Sequence, residues 1–153
     1  MKPNTASRPL RPEDLDRVVE IDRRLVGRSR RGFFEKRLEA ALSGADKVVA
    51  VAVEDGGTLV GYAIARIQFG AFGGVEQMAI LDAVGVDPDH HGQGSGRRLM
   101  EGVIRGMKKL GVREIRTQVD WTDHGLMRFF AANGFALAPR LVFEHPTTRE
   151  PGD

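Results

Sequence analysis

The run Val84-Gly85-Val86-Asp87-Pro88-Asp89-His90-His91-Gly92-Gln93-Gly94-Ser95-Gly96-Arg97-Arg98-Leu99 constrains this chain more than any other stretch. An apolar strand pattern stops at a proline, a loop of three alternating glycines follows, and an amphipathic helix pattern begins. Glycines at a helix entrance leave backbone N–H groups unscreened by side chains. The first-turn donors have no intrahelical acceptor, and the helix dipole adds partial positive charge there. Such an entrance suits a phosphate or pyrophosphate. Spacing narrows the choice. No Lys-Ser or Lys-Thr pair follows the glycines, so this is not a Walker A loop. The dinucleotide pattern G-x-G-x-x-G fails as well: from Gly92 its sixth place is Arg97, and from Gly94 it is Leu99.

The rest of the chain reads as one α/β unit. A short strand is expected at Arg8–Arg11. Pro12-Glu13-Asp14 opens a first helix that runs to about Leu25 and is broken by Gly27. Phe34, Leu38, Ala41 and Leu42 mark a second helix ending near Ser43-Gly44. Val48–Glu54 and Leu59–Phe69 form a hairpin across Asp55-Gly56-Gly57. Gly70–Gly74 is a glycine-rich loop, and Met78–Val86 is apolar enough for a strand buried on both faces. The third helix runs to Leu110, with Leu99, Val103, Met107 and Leu110 inward and Gly111 ending it. Val112–Val119 is strand-like. Asp123–Asn133 is a helix with Leu126, Phe129 and Phe130 inward, and Phe135–Ala138 and Leu141–Glu144 are two final strands. The expected order is β-α-α-β-β-β-α-β-α-β-β, a mixed central sheet flanked by helices. It forms a single domain over residues 1–153 with its core at about 8–144 and a loose tail over 145–153.

Composition excludes several classes. The absence of cysteine removes disulfide scaffolds, thiolate metal sites and a cysteine nucleophile. No apolar run approaches a membrane span and Met1–Leu10 lacks a signal-peptide core, so the expectation is a cytoplasmic protein without a membrane partner. A net charge of +2 and 7% aromatic residues give neither the field nor the stacking surface for nucleic acid. His90-His91 has no acidic partner at ligand spacing, so no metal is expected. The arginines between Arg23 and Arg31 read equally well as a solvated basic face or as a seat for an anionic group.

The pattern V-x-P-x-x-H-G-x-G-x-G opening a helix resembles the acetyl-CoA loop of the GNAT acetyltransferase superfamily, [QR]-x-x-G-x-[GA], with His91 at the first place. A second segment, Asp123 to Phe135, resembles the family's N-x-x-A-x-x-x-Y-x-x-x-G-F motif: Gly134-Phe135 match, while Asp123, Leu126 and Phe130 replace Asn, Ala and Tyr. The element order matches the GNAT fold from about Arg8 to Glu144. The resemblance implies an N-acetyltransferase that moves an acetyl group directly from acetyl-CoA to an amine, whether of a small molecule, a peptide or a protein. It also implies that homodimers are common among similar proteins. It assigns the pantetheine arm to backbone groups of Val84 and Val86, and the thioester carbonyl to the Val86 N–H. His91, Gly92, Gln93, Gly94, Ser95, Gly96 and Arg97 would meet the pyrophosphate, and Asp123 and Phe130 would stand at the second motif's cofactor-facing places. The rival class is a non-catalytic acyl-CoA-binding module of the same fold.

Transfer to an amine requires a base for the ammonium proton. Asp82 is the one charged residue in the strand Ala79–Val84, and strict alternation would put it on the face of Val84 and Val86 in a partly desolvated position. Asp120 and Glu76 are the alternatives. Phe130 cannot protonate a departing thiolate, which leaves water, His124, Ser95 or Tyr62 as donors.

Overall fold

The computed structural model describes residues 6–44, 47–69 and 77–149. Glu76 and the Gly70–Gly74 loop lie outside the described residues. The elements in chain order are β1 (Arg8–Pro9), α1 (Leu15–Val26), α2 (Arg31–Ser43), β2 (Val48–Asp55), β3 (Thr58–Phe69), β4 (Gln77–Val86), α3 (Ser95–Lys109), β5 (Ile115–Arg116) and α4 (His124–Ala132). Short 3-10 turns at Pro12–Asp14 and Pro88–His90 lead into α1 and away from β4. The sheet runs β1-β2-β3-β4-β5, antiparallel except for the parallel pair β4–β5.

Each face of the sheet carries a layer of helix. On one face Leu99, Met100, Val103 and Met107 of α3 pack with Val51, Val53, Ala63, Leu81 and Phe130. On the other, Val18, Val19 and Ile21 of α1 and Phe34 and Leu38 of α2 pack with Ala52, Tyr62, Ile64 and Ala83. The 3.6-residue apolar spacing of the helices and the alternation of the central strands produce these two cores. Leu42 and Leu110, expected on inner faces, are instead exposed at the C-terminal ends of α2 and α3.

The largest departure lies after α4. Neither Phe135–Ala138 nor Leu141–Glu144 is a strand. Phe135 packs onto the core, but Leu137, Leu141, Val142 and Phe143 are exposed on the irregular segment that follows. Apolar residues with strand propensity need a pairing partner to become strand, and no strand lies beyond β5 among the described residues. The strand expected over Val112–Val119 shrinks for a related reason: only Ile115 and Arg116 pair with β4.

Gly85 on β4 shows how tightly one face is filled. A Cβ there would lie 2.6 Å from the Tyr62 hydroxyl and 2.9 Å from Leu25 Cδ1. Tyr62 is 1% exposed, and its hydroxyl donates to Asp22 at 3.1 Å, so it cannot swing away. Gly85→Ala is therefore expected to destabilise the fold by about 1–3 kcal/mol through overpacking. Thermal unfolding reads this as a melting temperature lower by roughly 2–4 °C per kcal/mol.

Candidate active site

Strand β4 pairs with β3 along its whole length, with a register shift at Ile64/Ala65: Ile64 faces Ala83 while Ala65 faces Leu81. Asp82 is the extra residue, a β-bulge. Before the bulge, odd-numbered residues address β5: the Ala79 N–H donates to Glu114 O, and Leu81 O accepts from the Thr117 hydroxyl. After it the parity is reversed. The Asp87 N–H donates to Val60 O on β3, so alternation turns the N–H and C=O groups of Val86 and Val84 to the opposite edge. Along that edge β5 has already diverged, since its pairing stops at Ile80↔Arg116. The result is a row of outward backbone groups on an edge that β5 leaves unpaired. One of them is engaged, as His91 Nε2 donates to Val86 O at 2.9 Å.

The same bulge corrects the expected position of Asp82. The Val84 and Val86 side chains pack on the α3 side, whereas Asp82 lies on the α1/α2 side with Ala83. Its surroundings are also not apolar. The Arg66 Nε donates to Asp82 Oδ2 at 2.9 Å, and Arg37 Nε of α2 lies 3.4 Å from the same oxygen.

At the end of β4 the chain turns into the glycine loop. Gly92 and Gly94 have φ of 80° and 78°, the left-handed conformation that favours glycine. Gly94 is the N-cap of α3, and the first intrahelical bond runs from the Arg98 N–H to Gly94 O. The Ser95, Gly96 and Arg97 amides therefore precede the ladder and face out of the helix start, where an anion can be held. Gly96 has a different requirement from its two neighbours: a Cβ there would overlap the Phe129 ring of α4, so its role is close helix packing. The Ser95 hydroxyl is buried and accepts from Arg98 at 3.2 Å, and the exposed Arg97 side chain lies near Glu101. Gln93 is an exposed loop residue between the two left-handed glycines.

Asp87 anchors this loop. It is 3% exposed, accepts from the Asp89 N–H at 3.0 Å, and pairs with Arg17 and Arg24 of α1, the latter at 2.8 Å. Burial pushes its carboxyl upward, but the Asp89 amide and the Arg17 guanidinium outweigh that and hold it below the usual carboxylate range. Sequence reading passed over this residue. An Asp immediately before Pro, able to bond the amide two residues on, was the available signal.

The remaining candidates are scattered. Asp123 caps α4, accepting from the Leu126 N–H at 3.0 Å, and Phe130 is 5% exposed against Phe129 and Phe135. Asp120 is exposed, and hydrogen bonds from the Thr122 hydroxyl and amide hold its carboxyl low. Burial drives the Tyr62 hydroxyl far above the ordinary phenol range, with Asp22 adding to the effect. His124 is exposed at the first turn of α4. Among the described residues no cluster of three or more His, Asp or Glu could hold a metal ion, and no helix is long and apolar enough to cross a membrane.

Residues 15–135 match the acetyltransferase (GNAT) family. The chain belongs to that family. A mycothiol acetyltransferase from Propionibacterium freudenreichii subsp. shermanii is 31% identical over 87 residues, which are 57% of this chain and 27% of that protein. The chain thus spans about a quarter of that relative's length. Among solved structures, the aminoglycoside acetyltransferase AAC(6')-Iy in complex with the bisubstrate analogue CoA-S-monomethyl-acetylneamine superimposes with a TM-score of 0.76. The two are 19% identical, over 94% of this chain and 98% of that one. The same enzyme in complex with CoA gives a TM-score of 0.77 at 19% identity, over 94% and 95%. The aminoglycoside 6'-N-acetyltransferase AAC(6')-IG of Acinetobacter haemolyticus gives 0.73 at 14% identity, over 92% and 97%. At these identities the likeness establishes the GNAT fold.

The depressed carboxyl of Asp87 sets a pH dependence. A native value below the unfolded one contributes stability that is complete above the ordinary carboxylate value, about 4. That contribution is lost as pH falls through the lower native value. Asp87→Asn should flatten the acid limb of stability against pH, measured by urea unfolding. At neutral pH it should cost about 1–3 kcal/mol, moderated because Arg17 and Arg24 can reach water.

Proposed function

We propose that this protein is an acetyl-CoA-dependent N-acetyltransferase that moves the acetyl group directly to an amine within a ternary complex. The observation that carries the reading is the open edge of β4 running straight into the glycine loop. A linear ligand with a pyrophosphate at one end and an amide-bearing arm at the other suits that layout. The amides of Gln93 to Arg97 would hold the pyrophosphate and the open edge at Val84 and Val86 would hold the arm, with His91 and Gly92 fixing the turn between them. The Val86 N–H would donate to the thioester carbonyl as negative charge develops on its oxygen. The amine approaches from the α1/α2 side, where Asp82 receives its proton directly or through water. Phe130 has no proton to give, so the thiolate leaves unassisted or takes its proton from water. Asp123 and Phe130 support the site by capping and packing α4. The reading includes a homodimer in the cytoplasm; the apolar side chains exposed along the C-terminal arm support the dimer.

Two tests address different halves of this reading. Acetyl-CoA should raise the melting temperature by binding the native state. Gly94→Glu should abolish that rise, since it places a side chain and a like charge in the loop at a left-handed position. Stabilisation retained in Gly94→Glu would move the cofactor site elsewhere. For the chemistry, Asp82→Asn should lower kcat by about 10²–10⁴-fold with acetyl-CoA binding intact. Near-normal turnover in that variant would leave Asp82 a structural partner of Arg66 and Arg37.

A second reading, a non-catalytic acyl-CoA-binding module, is favoured by the core position of Phe130 and by the ion pairing of Asp82. Loss of thioester in the presence of an amine panel separates the two: the module binds acetyl-CoA and consumes none.

A further inference from the structure

Most arginines of the α1–α2 region are spoken for. Arg23 pairs with Glu20, Arg24 with Asp87 and Asp89, Arg30 with Asp22, and Arg31 with Asp16. Each of these guanidiniums donates a hydrogen bond to its carboxylate. Arg37 differs. Its Nε is buried without a hydrogen-bond partner, and among the described residues the side chain donates no hydrogen bond. The guanidinium is held in place all the same, 5.1 Å from the centroid of the Phe33 ring and beside Asp82. Asp82 in turn is bonded to Arg66, which also donates to Gln68 at 3.3 Å.

Two guanidiniums thus share one carboxylate at the bulge of β4, two residues before Val84, on the face from which the amine approaches. The charge of the cluster is positive by one unit, and its unspent donors belong to a planar fork suited to a carboxylate. We infer that the acceptor is an amine carrying a carboxylate within a few bonds, its ammonium at Asp82 and its carboxylate on Arg37. A polycationic acceptor would place further positive charge against two guanidiniums in a half-buried site, where screening by water is incomplete. This inference rests on the proposed acetyl transfer for its geometry, but binding can test it without turnover.

The experiment takes the proteinogenic amino acids, each beside its own amide, together with spermidine. Binding to the protein carrying CoA is measured by calorimetry, and acetyl transfer from acetyl-CoA to the same compounds is followed in parallel. The expected result is that at least one amino acid binds about 10-fold or more tightly than its amide, the scale of one charged hydrogen bond. Spermidine should bind more weakly still. Arg37→Gln should erase the difference between that acid and its amide while leaving CoA affinity unchanged, and Arg37→Lys should restore part of it. Preference for amides or spermidine, no binding by any member, or a preference that survives Arg37→Gln would each overturn the inference. A carboxylate preference in binding with no transfer would leave the carboxylate site at Arg37 standing and sink the enzymatic reading. Transfer to spermidine or amides alone would do the reverse.

Discussion

Asp87 is the point on which the two halves of the molecule meet. Its N–H closes the last bond between β4 and β3, and its carboxylate joins α1 through Arg17 and Arg24 while capping the turn that starts the glycine loop. A buried carboxylate without partners would be strongly unfavourable. Two guanidiniums and a backbone amide remove that cost only in one arrangement of strand, helix and loop. The ion pairs therefore act less as a source of stability than as a fixing of register. The Arg17 Nε, donating to Leu59 O at 2.9 Å, ties α1 to the start of β3 beside Val60.

The site depends on a mismatch between neighbouring strands. Sheets close when adjacent strands satisfy each other's backbone groups, and β4 does so with β3 throughout. With β5 it stops after two residues. The bulge at Asp82 directs the backbone of Val84 and Val86 into the space where pairing has ended, and it sends the one carboxylate of the strand to the other face. A single irregularity thus separates the outward backbone edge of Val84 and Val86 from the carboxylate of the strand.

Much of this was legible in the sequence. The helices α1 to α4, the β2–β3 hairpin and the strand-loop-helix unit follow from apolar spacing and from glycine placement, which are local signals. The bulge was not legible: in an apolar run such as Met78–Val86, alternation carries no phase, so an extra residue leaves no trace. The arginines of α1 and α2 could not be apportioned either, because partners such as Asp87 lie more than sixty residues away in the chain. The third glycine of the loop has a further requirement that spacing does not reveal: the Phe129 ring from α4 excludes a side chain there. The final strands failed for the opposite reason. Their residues have the right propensity, but propensity cannot supply the neighbour that a strand needs.

The bulge makes the one-residue excess of β4 over β3 more important than the identity of most of the residues in β4. Exchanging one aliphatic residue of this strand for another leaves the phase intact. Inserting one residue into β3 between Ile64 and Ala65, opposite Asp82, would restore unbroken alternation of β4 from Gln77 onward. The backbone of Val84 and Val86 would then turn back toward β3, and every contact made from the open edge would be lost together. For this pair of strands, tolerance to substitution and intolerance to a change in relative length are two sides of one geometry, so the site is written in the count of residues as much as in their chemistry.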